Sequence, residues 1–166
     1  MTVVWLIGAT MLALAIQTTL AYALGVSAYV NLVVGVVVFF ALFGGPGLGL
    51  AAGTLTGLAQ DVLSGSLLGV NGFANSLVGV VTGIAGQQFI VASFVTRAVV
   101  FVLGSVLQGF CVIGLYSLIE GRGLRLVPGV LVWQAGVNAV VGSMAFAMLE
   151  SFPEAAKRRR SRGLVR

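Results

Sequence analysis

The first sixty residues contain no Asp, Glu, Lys or Arg; Asp61 is the first charge and Arg97 the second. A stretch of that length folded in water would need uncharged side chains over its whole surface, whereas soluble domains carry roughly 25% charged residues. Over all 166 residues the charged fraction is 8% and the hydrophobic fraction 59%. Nine basic and four acidic residues cannot cover a water-exposed surface of this size. Disorder is excluded as well, because it requires low hydrophobicity. With no His and one Cys, neither a disulfide framework nor a Cys-based zinc site can be built within one chain. The class that remains is an all-α integral membrane protein.

Apolar runs broken by Gly, Pro and polar clusters predict a bundle of about six transmembrane helices, at 2–24, 27–43, 48–63, 67–86, 93–119 and 126–149. A spanning helix needs roughly 20 apolar residues. The third run, ~24 Å long at ~1.5 Å per residue, is short for a ~30 Å hydrocarbon core. It reads as a full span, with a short helix or half of a re-entrant hairpin as alternatives. Gly44-Gly45-Pro46-Gly47, Ser64-Gly65-Ser66 and Glu120-Gly121-Arg122-Gly123 supply the breaks, since Gly provides turn dihedrals and Pro lacks an amide donor. The first run is expected to be an uncleaved helix rather than a signal peptide: no basic residue precedes it and it is too long for an h-region. Residues 1–150 thus form the transmembrane domain and 151–166 a basic tail.

Six of the nine basic residues fall in the last ten positions, among them Lys157, Arg158, Arg159, Arg160 and Arg162. Beside a membrane span such a run orients the chain with the tail in the cytoplasm and touches anionic lipid, rather than binding nucleic acid. Six spans then place the N-terminus inside, Arg97 at the inner face, and Asp61 with Arg122 and Arg125 at the outer face. Five spans would move only the uncharged N-terminus.

Small residues recur every three or four positions at Gly45, Gly49, Gly53 and Gly57, and again at Gly72, Ser76, Gly79 and Gly83. In lipid, where burying apolar surface gives little drive, such stripes let backbones approach closely. Packing inside one bundle is the expected use; an interface with another protein's helix is the alternative. The intramembrane polar residues Gln17, Asn31, Asn75, Gln108, Gln134 and Asn138 must hydrogen-bond within the bundle or to a partner. Asp61 is the only acid before Glu120. At the C-terminal end of its helix it meets the negative end of the dipole, so it needs donors; Arg122, Arg125, Gln134 and Asn138 are candidates. Gly65 is expected to close that helix in the left-handed conformation, Ser66 to cap the amides of the next one, and a new helix to start near Gly69 to Asn71. The role read for Asp61 is hydrogen bonding rather than proton transfer. On that reading asparagine, which keeps one acceptor oxygen, should replace it and leucine should not.

Hydrolytic, phosphoryl-transfer and proteolytic chemistry need several acids, a His, or a nucleophile beside a base. Cys111 sits inside an apolar run and the only Lys is Lys157. No enzyme activity and no cofactor are expected.

The stretch Gly57-Leu58-Ala59-Gln60-Asp61-Val62-Leu63-Ser64-Gly65-Ser66-Leu67-Leu68-Gly69-Val70-Asn71 resembles the signature of the bacterial rod shape-determining MreD family, roughly G-x-x-x-D-h-x-S-G-x-x-h-G-h with h apolar. Gln17, the spacing from Trp133 to Asn138 and the basic tail fit the same resemblance; Val30 before Asn31 and the uncharged Gln87-Gln88-Phe89 loop depart from it. The resemblance implies a multi-pass protein of the bacterial inner membrane. It implies a fold similar to the substrate-binding components of energy-coupling-factor vitamin transporters. It also implies a non-catalytic scaffold role in peptidoglycan synthesis during elongation. The implied partners are MreC, a single-span protein, and beyond it RodA, a class B penicillin-binding transpeptidase and MreB. The motif residues it singles out are Gln60, Asp61, Ser64, Gly65, Gly69, Asn71, Trp133 and Asn138. The competing function is a vitamin-binding transporter component, which would dock through an Ala-x-x-x-Ala pair such as Ala9 and Ala13.

Overall fold

The computed structural model describes residues 2–24, 31–88, 94–121, 129, 132–140, 142 and 144. They form α1 (Thr2–Leu24), α2 (Leu32–Ser64), α3 (Val70–Gln88) and α4 (Phe94–Glu120), and a further helix, α5 (132–140). Arg122, Arg125, Lys157, Arg158, Arg159, Arg160 and Arg162, and with them the basic tail, lie outside the described residues.

The second and third apolar runs join in α2, and the four-residue break expected between them reduces to a single residue. Only Gly45 leaves helical geometry, at φ 76° and ψ −173°, a region open essentially to Gly alone. Pro46 follows at the first position of the second arm, where its missing N–H leaves no bond unmade. The bend is a reversal. Gln60 Nε2 donates to Asn31 Oδ1 at 3.4 Å across 29 residues, which a straight helix would hold ~43 Å apart at ~1.5 Å per residue. Phe40 and Ala52 likewise share one buried cluster. Thus α2 is a helical hairpin with arms 32–44 and 46–64.

The second arm packs antiparallel on α3 through the two small-residue stripes. A Cβ on Gly49 would meet the carbonyl of Gly79, one on Gly53 the carbonyl of Asn75, and one on Gly57 the carbonyl of Asn71. At the far end a Cβ on Gly83 would meet the backbone of Pro46. Thr54 Oγ1 and Ser76 Oγ join the helices at 2.7 Å. Around this pair the first arm, α3, α4 and α5 build the main core from Val34, Val38, Val78, Phe101 and Ala139. The fully buried Phe101 ring occupies the space beside Gly142. On α1, Ala9 packs against the Phe40–Ala52 cluster and Ala13 is buried.

The burial pattern inverts that of a water-soluble bundle. Leu50, Leu55, Leu68, Phe73, Leu103 and Val132 are exposed, while Gln60, Asp61, Asn71, Asn75, Gln108 and Asn138 are buried. An apolar exterior around a hydrogen-bonded polar interior is what a lipid solvent selects. Leu32–Ser64 and Val95–Glu120 are each long and apolar enough to cross a membrane, although the bend divides the first of these between two arms.

Candidate functional site

The densest polar site lies where α2 ends and α3 begins. Gly65 adopts the left-handed conformation at φ 62° and ψ 21°, and its N–H donates to the Asp61 carbonyl; Ser66 N donates to the same oxygen at 3.2 Å. Two residues of loop later Gly69 takes φ 97° and α3 starts at Val70. The loop brings the first amides of α3 back over the end of α2.

The Asp61 side chain, 1% exposed, accepts from five donors. Oδ1 receives Ser66 Oγ at 3.0 Å, Asn71 N at 3.2 Å and Asn71 Nδ2 at 2.7 Å. Oδ2 receives Gly69 N at 2.8 Å and Gly72 N at 3.3 Å. Three of these are backbone amides of the α3 N-terminus, which have no partner within their own helix and make a natural anion site. The charge faces the positive end of the α3 dipole, which offsets its position at the negative end of its own helix. A single residue therefore closes one helix with its carbonyl and caps the next with its carboxylate.

This arrangement corrects two sequence expectations. Ser66 does not cap α3: its hydroxyl accepts from Ser64 Oγ at 2.9 Å and donates to Asp61, which does the capping. Asn138 is not a partner of Asp61; its Nδ2 donates to Ser105 Oγ at 2.9 Å. The donors on the loop that follows Asp61 are only a few residues away, so they reach the carboxylate at little cost in loop closure.

Behind Asp61 the buried amides form two short chains. Asn71 Oδ1 accepts from Gln108 Nε2 of α4 at 3.2 Å, which ties the capped turn to a third helix. Gln60 Oε1 accepts from Asn75 Nδ2 at 3.5 Å while Gln60 Nε2 reaches Asn31, so the same turn also holds the start of the first arm. The Gln60 carbonyl, 2.8 Å from Ser64 Oγ, competes with Ser66 for the single Ser64 hydroxyl hydrogen. The structure thus brings Gln60, Asp61, Ser64, Gly65, Gly69 and Asn71 into one turn. It leaves Trp133, 60% exposed, and the buried Asn138 on different faces of α5, and Asn138 bonds to Ser105 rather than to that turn. Asn31, Asn75 and Gln108 were legible as polar residues needing partners, but nothing in their spacing assigns those partners. Among the described residues no three His, Cys, Asp or Glu side chains come together. The Asp61 carboxylate accepts from five donors of the chain, three on Oδ1 and two on Oδ2.

A family model described as rod shape-determining protein MreD matches residues 1–152. Nothing among curated proteins or solved structures matches the chain.

Proposed function

The chain belongs to the MreD family of rod shape-determining proteins, and from that premise we propose that it is a non-catalytic scaffold of the cell-wall elongation machinery. In this reading it spans the bacterial inner membrane six times, with its tail in the cytoplasm. It holds an MreC-like single-span partner and through it regulates peptidoglycan synthesis beside RodA, a class B transpeptidase and MreB. The observation that carries the reading is the Asp61 clamp: the buried carboxylate is committed to five intramolecular donors, as suits a rigid platform rather than a proton relay. The vitamin-transporter alternative is less well supported. The buried amides bond to one another, and Ala9 and Ala13 of the Ala-x-x-x-Ala pair face the core.

Co-purification tests the proposal. The full chain expressed with a single-span coiled-coil protein of the MreC type is expected to emerge from detergent as a stable complex with no bound vitamin. A bound vitamin without the partner would replace the scaffold reading. Orientation is tested separately: a reporter active only in the cytoplasm, fused after Arg166, is expected to be active. Activity of an outward-sensing reporter at that position would reverse the topology.

A further inference from the structure

Two buried amide oxygens in the bundle core, Asn75 Oδ1 and Asn138 Oδ1, have no hydrogen-bond partner. Asn75 is 0% and Asn138 1% exposed. A buried acceptor left unpaired carries its full desolvation penalty with nothing to offset it, so these two call for an explanation, apart from a third, Gln17 Oε1 on α1.

They belong to one layer of the bundle. The α3–α4 register is set by Asn71 against Gln108 at one level and by Val78 against Phe101 and Gly104 at another. Asn75 lies between those levels on α3, and Ser105 lies between them on α4. Asn138 of α5 reaches the same level, where its Nδ2 donates to Ser105 Oγ. Ser105, 2% exposed, accepts that bond, and its own hydroxyl hydrogen remains to be given. The layer therefore offers two amide oxygens that accept and one hydroxyl that donates, contributed by three helices.

We propose that this layer binds one ordered water, which donates to Asn75 Oδ1 and Asn138 Oδ1 and accepts from the Ser105 hydroxyl. Water has two hydrogens and a free lone pair, the complement of those three groups, and buried waters typically make about three such bonds. A monovalent cation would take the two oxygens and a lone pair of Ser105 Oγ but would leave the Ser105 hydroxyl hydrogen without an acceptor. The water completes a hydrogen-bonded path from the Asp61 turn through Gln60 and Asn75 to α5, linking that helix to the motif.

The test uses the purified full chain. A density map that resolves waters is expected to show one peak within hydrogen-bond distance of both amide oxygens and of Ser105 Oγ. Direct contact between the two amides, with no density between them, overturns the proposal. Thermal unfolding in sodium, potassium and choline chloride at equal ionic strength is expected to give one midpoint; a sodium- or potassium-dependent rise identifies a cation instead and also overturns it. Asn75→Ala and Asn138→Ala are each expected to lower the midpoint. The double variant should lose less than the two losses together, because the first substitution already frees the water. Additive losses overturn the bridge.

Discussion

Asp61→Leu is expected to abolish recovery of folded protein. The substitution leaves five donors without an acceptor: the buried Asn71 side-chain amide and Asn71 and Gly72 amides, and the part-buried Ser66 hydroxyl and Gly69 amide. At about 1–3 kcal/mol for each unsatisfied group, the loss is comparable with the whole stability of a typical domain, about 5–15 kcal/mol. The geometry also revises the expectation for asparagine. Both carboxylate oxygens accept, so the NH₂ group of an asparagine at this position would point either at the Gly69 and Gly72 amides or at Ser66 and Asn71. Asp61→Asn is therefore expected to lose about 2 kcal/mol or more and to unfold well below the parent, between parent and leucine variant. Monodisperse yield and the unfolding midpoint in detergent check the order. A leucine variant as stable as the parent would show that the cap is dispensable. A stable asparagine variant that fails only in partner binding would move the role of the charge to an interface.

Gly53→Leu is the second large effect, and even Gly53→Ala should be poorly tolerated. The first carbon beyond the backbone would land on the Asn75 carbonyl and the Ser76 amide nitrogen, which cannot rotate away as a side chain can. Relief requires the second arm of α2 and α3 to separate, which breaks the Thr54–Ser76 contact and tilts the Asp61 turn at the end of the same interface. Overpacking typically costs about 1–3 kcal/mol, and a backbone clash belongs at the upper end; a loss of about 2 kcal/mol already lowers the folded-to-unfolded ratio about thirtyfold. Gly79→Ala is expected to behave alike, since its Cβ would strike the Gly49 carbonyl. Gly35→Ala is the control. No atom lies within 4 Å of its added Cβ, and alanine gains about 1 kcal/mol of helix propensity. Equal melting of the Gly53 and Gly35 variants would show that the stripe faces lipid.

The membrane class, the helical content, the glycine stripes and the closure of α2 at Gly65 were legible in the sequence, because each depends on local chemistry. Sixty residues without charge exclude water as the solvent. Small residues at every fourth position place one flat face on a helix. A Gly after Ser64 supplies the left-handed turn. The reversal at Gly45 was legible only as a break: Gly-Gly-Pro-Gly announces an interruption, and the direction in which the chain leaves it depends on ψ at one residue.

What the tertiary structure alone decided was which polar group meets which. Asp61 had several possible donors by sequence; Arg122 and Arg125 lie outside the described residues, and among the described ones the Ser66 to Gly72 segment supplies the bonds, because the turn delivers α3 amides to the carboxylate at almost no cost in loop closure. Asn71 with Gln108, Gln60 with Asn31, and Asn138 with Ser105 join residues 29 to 37 positions apart. Those pairings follow from helix register and crossing geometry. A sequence states that each such group needs a partner in an apolar medium; only the packed bundle brings one within reach.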